Sequence, residues 1–220
     1  MKLLWPHQVR ALNEFKQAIC DGENSILLTS PTGGGKTRWA QEAILWALWD
    51  QDWASIMYSN RKMLLEQTSS VLTASSMDHG IRAAGNAPNL LQRVQLSSIQ
   101  TERSRVYKKE QWSLHPCKLA IVYEAHVNGN GTAETIIREH REHGAFTVGL
   151  TATPLDLGHL YNRLIVAGTM SELRECGAIV SAINYGPDEP DLKHIEKITV
   201  GANGEFSENQ VRKVFKVQKV

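Results

Sequence analysis

The sequence predicts an α/β domain built on a mainly parallel sheet with helices on both faces. Short apolar runs alternate with helical stretches from Pro6 to Leu150. The runs are apolar on both sides, as strands covered on both faces must be. The chain has 220 residues, 42% of them hydrophobic and 21% charged. That is the composition of an ordinary globular protein, long enough for one good core with or without a tail.

Each element has its own signal. Pro6–Cys20 reads as a helix, with Val9, Leu12, Phe15 and Ile19 at helical spacing. Ser25–Thr29 reads as a buried strand, and a Gly-rich turn separates it from a helix over Lys36–Trp49. Strands are expected at 54–58, 81–83, 94–97, 119–122 and 146–150, with helices over 62–73 and 133–143 and a charged helix after Ser97. Beyond Pro154 the pattern loosens. Residues 179–183 could form one more strand, 186–205 reads as a Gly/Pro-rich charged linker, and 211–220 is amphipathic. The expected division is a domain over 1–168 and an extension over 169–220 leading toward a further domain.

Net charge is +1, so any nucleic acid would be held by local contacts rather than a global field. That counts against a packaging or coat protein. Cys20, Cys117 and Cys176 are widely spaced, which gives neither a disulfide framework nor a zinc site and suits a reducing cytoplasm. No signal peptide is legible, and the helix over Lys36–Trp49 is too short to span a bilayer. His140 and His143 share a helical face but lack further ligands, so a solvated face is expected. Trp46, Trp49 and Trp53, at three- and four-residue spacing, read as a face packed on the sheet or on a partner domain rather than a base-stacking platform.

The strongest chemical signal is Ser30-Pro31-Thr32-Gly33-Gly34-Gly35-Lys36-Thr37 between a strand and a helix. Glycines let backbone N–H groups curl around phosphate oxygens at a helix N-terminus. Thr32, Gly33, Gly34, Gly35, Lys36 and Thr37 would then hold a nucleotide, with the Lys36 ammonium on the β/γ-phosphates and the Thr37 hydroxyl on Mg²⁺.

With Val122-Tyr123-Glu124-Ala125-His126 and Gly149-Leu150-Thr151-Ala152-Thr153-Pro154 in register behind it, this loop resembles the first motif of the DEAD/DEAH-box superfamily-two helicases. Ser or Ala replaces the loop's first Gly there. The resemblance runs from about Trp5 to Pro154 and is closest to helicases common in bacteriophages and prophages. It implies a RecA-like P-loop domain that uses ATP and Mg²⁺ to move on nucleic acid, DNA favoured over RNA. A second RecA-like domain in cis would supply arginine fingers. It also implies a bacterial or phage-infected cytoplasm.

Further residues follow from that resemblance. Trp5-Pro6-His7-Gln8 resembles the element in which Gln reads adenine, although Trp5 stands where Arg is usual; a helix start with Pro6 in its first turn explains the same residues. Asn60 to Gln67 and Val94 to Thr101 resemble the segments that hold strand phosphates, which points to Arg61, Lys62, Ser98, Gln100 and Thr101. Arg61 and Lys62 also suit a solvated helix start. Glu124 would act on the attacking water, and His126 would couple the nucleotide to Thr151 and Thr153.

Tyr123 departs from the family, which has Asp there to hold Mg²⁺. A neutral phenol is a poor partner for a hard dication. Three readings stand open: a naturally degenerate site, an introduced change, or a tolerated variant with the metal held by Thr37 and phosphates. The rival functions are a hydrolysis-deficient, nucleotide-gated binding module and the motor subunit of a restriction or repair complex.

Overall fold

In the computed structural model, which describes residues 3–126 and 131–181, the strands are β1 (Ser25–Thr29), β2 (Ser55–Ser59), β3 (Gly80–Arg82), β4 (Val94–Ser98), β5 (Leu119–Tyr123), β6 (Phe146–Thr151) and β7 (Arg163–Val166). They form one sheet in the order β3-β4-β2-β5-β6-β1-β7. Every pairing is parallel, so all strand C-terminal ends share one edge. The helices are α1 (Pro6–Cys20), α2 (Lys36–Trp49), α3 (Lys62–Ala74), α4 (Ile99–Glu102), α5 (Thr132–Glu142) and α6 (Met170–Glu175).

The period-two alternation of the strands divides the core. Ile26, Leu28, Met57, Leu119, Ile121, Val148 and Leu150 pack with Phe15, Trp39, Ile44 and Leu65 from α1, α2 and α3. Their neighbours Leu27, Ile56, Tyr58, Ala120 and Val122 face the other way, onto Ala133, Ile136 and Ile137 of α5. Helices therefore cover both faces, as the doubly apolar strands demand. Phe15, Trp39, Trp46, Trp53 and Phe146 make a chain of ring contacts at 5.2–5.6 Å. Trp46 and Trp53 thus pack as the sequence suggests, whereas Trp49 is 61% exposed.

Three features differ from the sequence expectations. The extra strand is Arg163–Val166, an edge strand beside β1, and residues 179–181 form none. The charged helix after β4 is one short turn followed by a six-residue π-helix, Arg103–Lys108. His140 is not solvated. It is 2% exposed and completes the buried stripe of α5 with Ala133, Ile136 and Ile137. Its Nε2 bonds the Tyr58 hydroxyl at 2.8 Å and its Nδ1 lies 3.6 Å from Cys117 Sγ. The compact unit runs to Val180 and includes α6. The linker and tail expected over 186–220 lie outside the described residues. Among the described residues, no helix is long and apolar enough to cross a membrane.

Candidate nucleotide and nucleic-acid site

The loop 30–37 leaves the C-terminal end of β1, an inner strand flanked by β6 and β7, and turns straight into α2. Gly35 makes that turn possible. Its φ is +78°, in the left-handed region, and a Cβ there would collide with the Gln8 amide. Lys36 is 6% exposed, and its ammonium donates to the Ser30 carbonyl at 3.0 Å and the Pro31 carbonyl at 3.4 Å. Burial pulls this ammonium below its ordinary pKa, against the charge of Glu124. Ser30 Oγ is buried without a hydrogen-bond partner among the described residues. A buried cation satisfied, among the described residues, by loop carbonyls, together with an orphaned hydroxyl and a glycine-lined turn, fits the phosphates of a nucleotide.

Two helices grip the loop from behind. Gln8 is 2% exposed; its Oε1 accepts from the Trp5 N–H at 2.9 Å and its Nε2 donates to the Gly35 carbonyl at 3.1 Å. The amide expected to read adenine is thus buried against the loop backbone. The alternative reading, a helix start with Pro6 in the first turn, describes what is seen. His7, which the sequence did not single out, lies 3.1 Å from the Gly34 carbonyl through Nε2 and 3.8 Å from Cys176 Sγ through Nδ1. A carbonyl only accepts, so Nε2 carries the proton and Nδ1 faces the thiol. Leu173 of α6, fully buried, is within contact distance of a Cβ built on Gly34. A bidentate Arg10–Glu172 pair, 2.8 and 3.3 Å, joins α1 to α6. The Thr169-x-x-Glu172 pattern at the start of α6 forms a reciprocal cap, a local signal from which this helix can be read.

Tyr123 ends β5 with its side chain on the α2 face and 7% exposed. Its hydroxyl is 2.9 Å from Thr37 Oγ1. The position meant for a metal-holding carboxylate therefore engages the very hydroxyl expected on Mg²⁺. Burial raises the phenol's pKa, and the Thr37 hydrogen bond opposes this only in part, so the group is neutral near pH 7. The residues present do not fit a protein-held magnesium ion here. Glu124 follows at φ +53°, a left-handed conformation that a non-glycine residue holds only at some cost.

The segment after β5 is tied to the end of β6. Thr151 Oγ1 donates to the Thr153 carbonyl at 3.1 Å and accepts from the Thr153 N–H at 3.0 Å. His126 Nδ1 is 2.9 Å from the same hydroxyl and 3.4 Å from Glu124 Oε2. With the hydroxyl proton given to Thr153, Nδ1–H is the donor to the Thr151 hydroxyl, with the Glu124 carboxylate close by. His126, Glu124, Thr151 and Thr153 are thus brought together.

Arg61 and Lys62 follow β2, Ser98 ends β4, and Gln100 and Thr101 follow it. These strands are neighbours with Ser59 opposite Ser98, so the two segments lie side by side. Arg61, Lys62 and Gln100 are exposed. Lys62 reaches Glu66 at 3.6 Å, and Ser98 Oγ donates to Gln100 Oε1 at 2.8 Å.

The family described as "Type III restriction enzyme, res subunit" matches residues 2–156. The chain belongs to this family, ResIII. A ResIII-type domain is a helicase-type, ATP-using RecA-like domain. The chain is 26% identical over 157 residues to the Type I restriction enzyme EcoAI endonuclease subunit of Escherichia coli, covering 67% of this chain and 19% of that protein. It also resembles the Pyrococcus furiosus Hef helicase domain (TM-score 0.59, 20% identity, 77% of this chain and 39% of that one). A Sulfolobus solfataricus SWI2/SNF2 ATPase core in complex with dsDNA is similar at TM-score 0.55 and 15% identity, over 70% of this chain and 33% of that one. This ResIII chain therefore spans only a minor part of these relatives, and at such identities the structures speak for the fold.

Proposed function

We propose that this chain is the ATP-binding motor domain of a helicase or translocase that moves on nucleic acid, DNA favoured over RNA, within a restriction or repair complex. The observation that carries this is the shared edge. The phosphate loop, Glu124, His126 and Thr151 lie at the C-terminal ends of β1, β5 and β6, and the phosphate-binding candidates Arg61, Lys62, Ser98, Gln100 and Thr101 at those of β2 and β4. Ligands of open parallel sheets bind outside such an edge. The restriction-enzyme relative and the dsDNA-bound SWI2/SNF2 core support the choice of DNA.

In this reading Thr32 to Thr37 cradle the phosphates, with Lys36 leaving the Ser30 carbonyl to meet them. Glu124 orients the attacking water, and His126 passes the state of the site to Thr151 and Thr153. A second RecA-like domain in cis closes the site and supplies arginine. ATP would bring Mg²⁺ bound to its own phosphates, with little help from this chain. The Tyr123–Thr37 contact favours a second reading, a nucleotide-gated clamp that binds ATP and strand with very slow turnover.

Titration with a fluorescent ATP analogue tests the nucleotide site. Lys36→Ala abolishes binding if the assignment holds, and unchanged affinity refutes it. Phosphate release stimulated by DNA in a protein that carries the second domain then separates motor from clamp.

A further inference from the structure

A cleft opens on the same edge at its far end from the phosphate loop, beyond β3 and β4. Its volume is about 580 Å³, and its lining includes Gly85, Pro88, Gln100, Thr101, Arg105 and Trp112. That is within the ~300–1,000 Å³ range of sites that enclose small organic groups. None of its lining residues is acidic. Arg105 and Lys109 line it and are exposed, and Arg103 and Lys108 are exposed nearby, with Glu110 the one exposed acid in that stretch. The nearby Glu102 is fully buried and spent on Arg82. A cation has no partner in the cleft, whereas a polyanion has several.

The aromatic wall is Trp112. The Arg82 guanidinium lies 5.0 Å from its ring centroid. Arg82 is itself fixed by Glu102 at 2.6 and 3.0 Å and by the Ser113 carbonyl at 2.9 Å. A buried ion pair thus sets where the indole stands. The Arg105 guanidinium is also over the ring, at 5.7 Å; it is exposed and donates to Gln111 Oε1, a surface contact that opens when a base takes that face. The π-helix adds a second, independent sign, because widened turns recur at functional sites. Here the Gln111 and Trp112 N–H groups both close onto the Arg105 carbonyl, at 2.7 and 3.2 Å, which brings Trp112 back beside Arg105.

We propose that this cleft takes an unpaired nucleobase of the bound strand, stacked against Trp112, with the adjoining phosphate on Arg105 and Lys109. The inference rests on the reading that a strand crosses Arg61, Lys62, Ser98, Gln100 and Thr101. It adds a base contact to a track otherwise made of phosphate contacts. Gln100 and Thr101 line both the track and the cleft, so the strand need not leave one to enter the other. Every base has a π-face, so the contact tolerates any sequence.

The experiment compares an oligo-dT strand with an abasic strand of equal length by fluorescence anisotropy on the full chain. The abasic strand is expected to bind about five-fold or more weakly, the lower bound for one stacked base. Trp112→Leu erases that difference. Because Trp112 packs on the buried Arg82, the surface change Arg105→Ala with Lys109→Ala is a second probe. It keeps the fold, weakens both strands, and lowers the salt slope by about 0.7 for the one phosphate released. A strand carrying 5-iododeoxyuridine should photocrosslink to the peptide containing Trp112. Equal affinity of the two strands, or crosslinks that fall only elsewhere, overturns the pocket and leaves the track intact. Failure of both strands to bind at low salt overturns the track, and the pocket with it.

Discussion

Replacing Tyr123 by Phe removes one oxygen from the centre of the nucleotide site and little else. The ring stays packed with Leu119 and Ile121 on the α2 face. Thr37 Oγ1 loses its 2.9 Å partner. A neutral hydrogen bond of this kind contributes a net ~0.5–1.5 kcal/mol, and the variant should lose about that much stability. A metal ion reaching Thr37 must displace the same bond. Freed of it, magnesium should strengthen nucleotide binding by about 2- to 12-fold more in Tyr123→Phe than in the unmodified protein. The assay is an equilibrium titration of a fluorescent ATP analogue, run with Mg²⁺ and with EDTA, on both proteins. Tyr123→Asp extends the series: a carboxylate supplies charge and lone pairs to metal-bound water, so turnover should rise once the second domain is present. Adding Glu124→Gln should remove that gain. An identical Mg²⁺-to-EDTA affinity ratio in unmodified and Tyr123→Phe proteins would refute the reasoning, since the phenol would then not be competing with metal.

Two further outcomes concern stability. Burial, with the His115, His143 and Arg82 charges adding to it, drives His140 down to about 3, below the ~6.5 of an unfolded chain. The unfolded state therefore binds the extra proton between these values, and stability falls as pH drops below about 6.5 toward 3. Urea midpoints at about pH 7.5 and about pH 5 should diverge less in His140→Gln, and equal divergence would place the effect elsewhere, His115 first. In the second case, Glu102→Gln uncouples a pair whose side chains are 0% and 3% exposed and which Ser97 also contacts. Breaking a buried pair costs ~3–5 kcal/mol, or about 6–20 °C in Tm for a domain of this size. Calorimetry showing no change would mean that the pair is not closed in solution.

Much of the site was legible because each motif ends a strand. Once the apolar runs placed β1, β5 and β6, the all-parallel sheet had to bring Lys36, Tyr123, Glu124 and Thr151 to one edge. What escaped depended on partners distant in sequence. Gln8 looks free in a linear reading, and only the fold puts Gly34 and Gly35 on its amide. His140 was readable, since it continues the 133, 136, 137 stripe, but its charge-rich neighbours drew it to the solvent side. β7 was missed because Arg163-Leu164-Ile165-Val166 is short and half exposed, with Leu164 at 52% and Val166 at 44%. Trp112 carries no local pattern at all; its role depends on Arg82, thirty residues upstream.

The strand order has a kinetic consequence. β1, which launches the phosphate loop, is bracketed by β6 and β7, with Ser25 opposite Thr147 and Ile26 opposite Arg163. Its neighbours on both sides are thus made more than a hundred residues after it. During synthesis the loop sequence emerges early, but its strand gains its first sheet neighbour only with Phe146–Thr151 and its second only with Arg163–Val166. Pairings this remote in sequence close slowly, so the strand that carries the 30–37 loop depends on contacts that slow the folding of the whole domain.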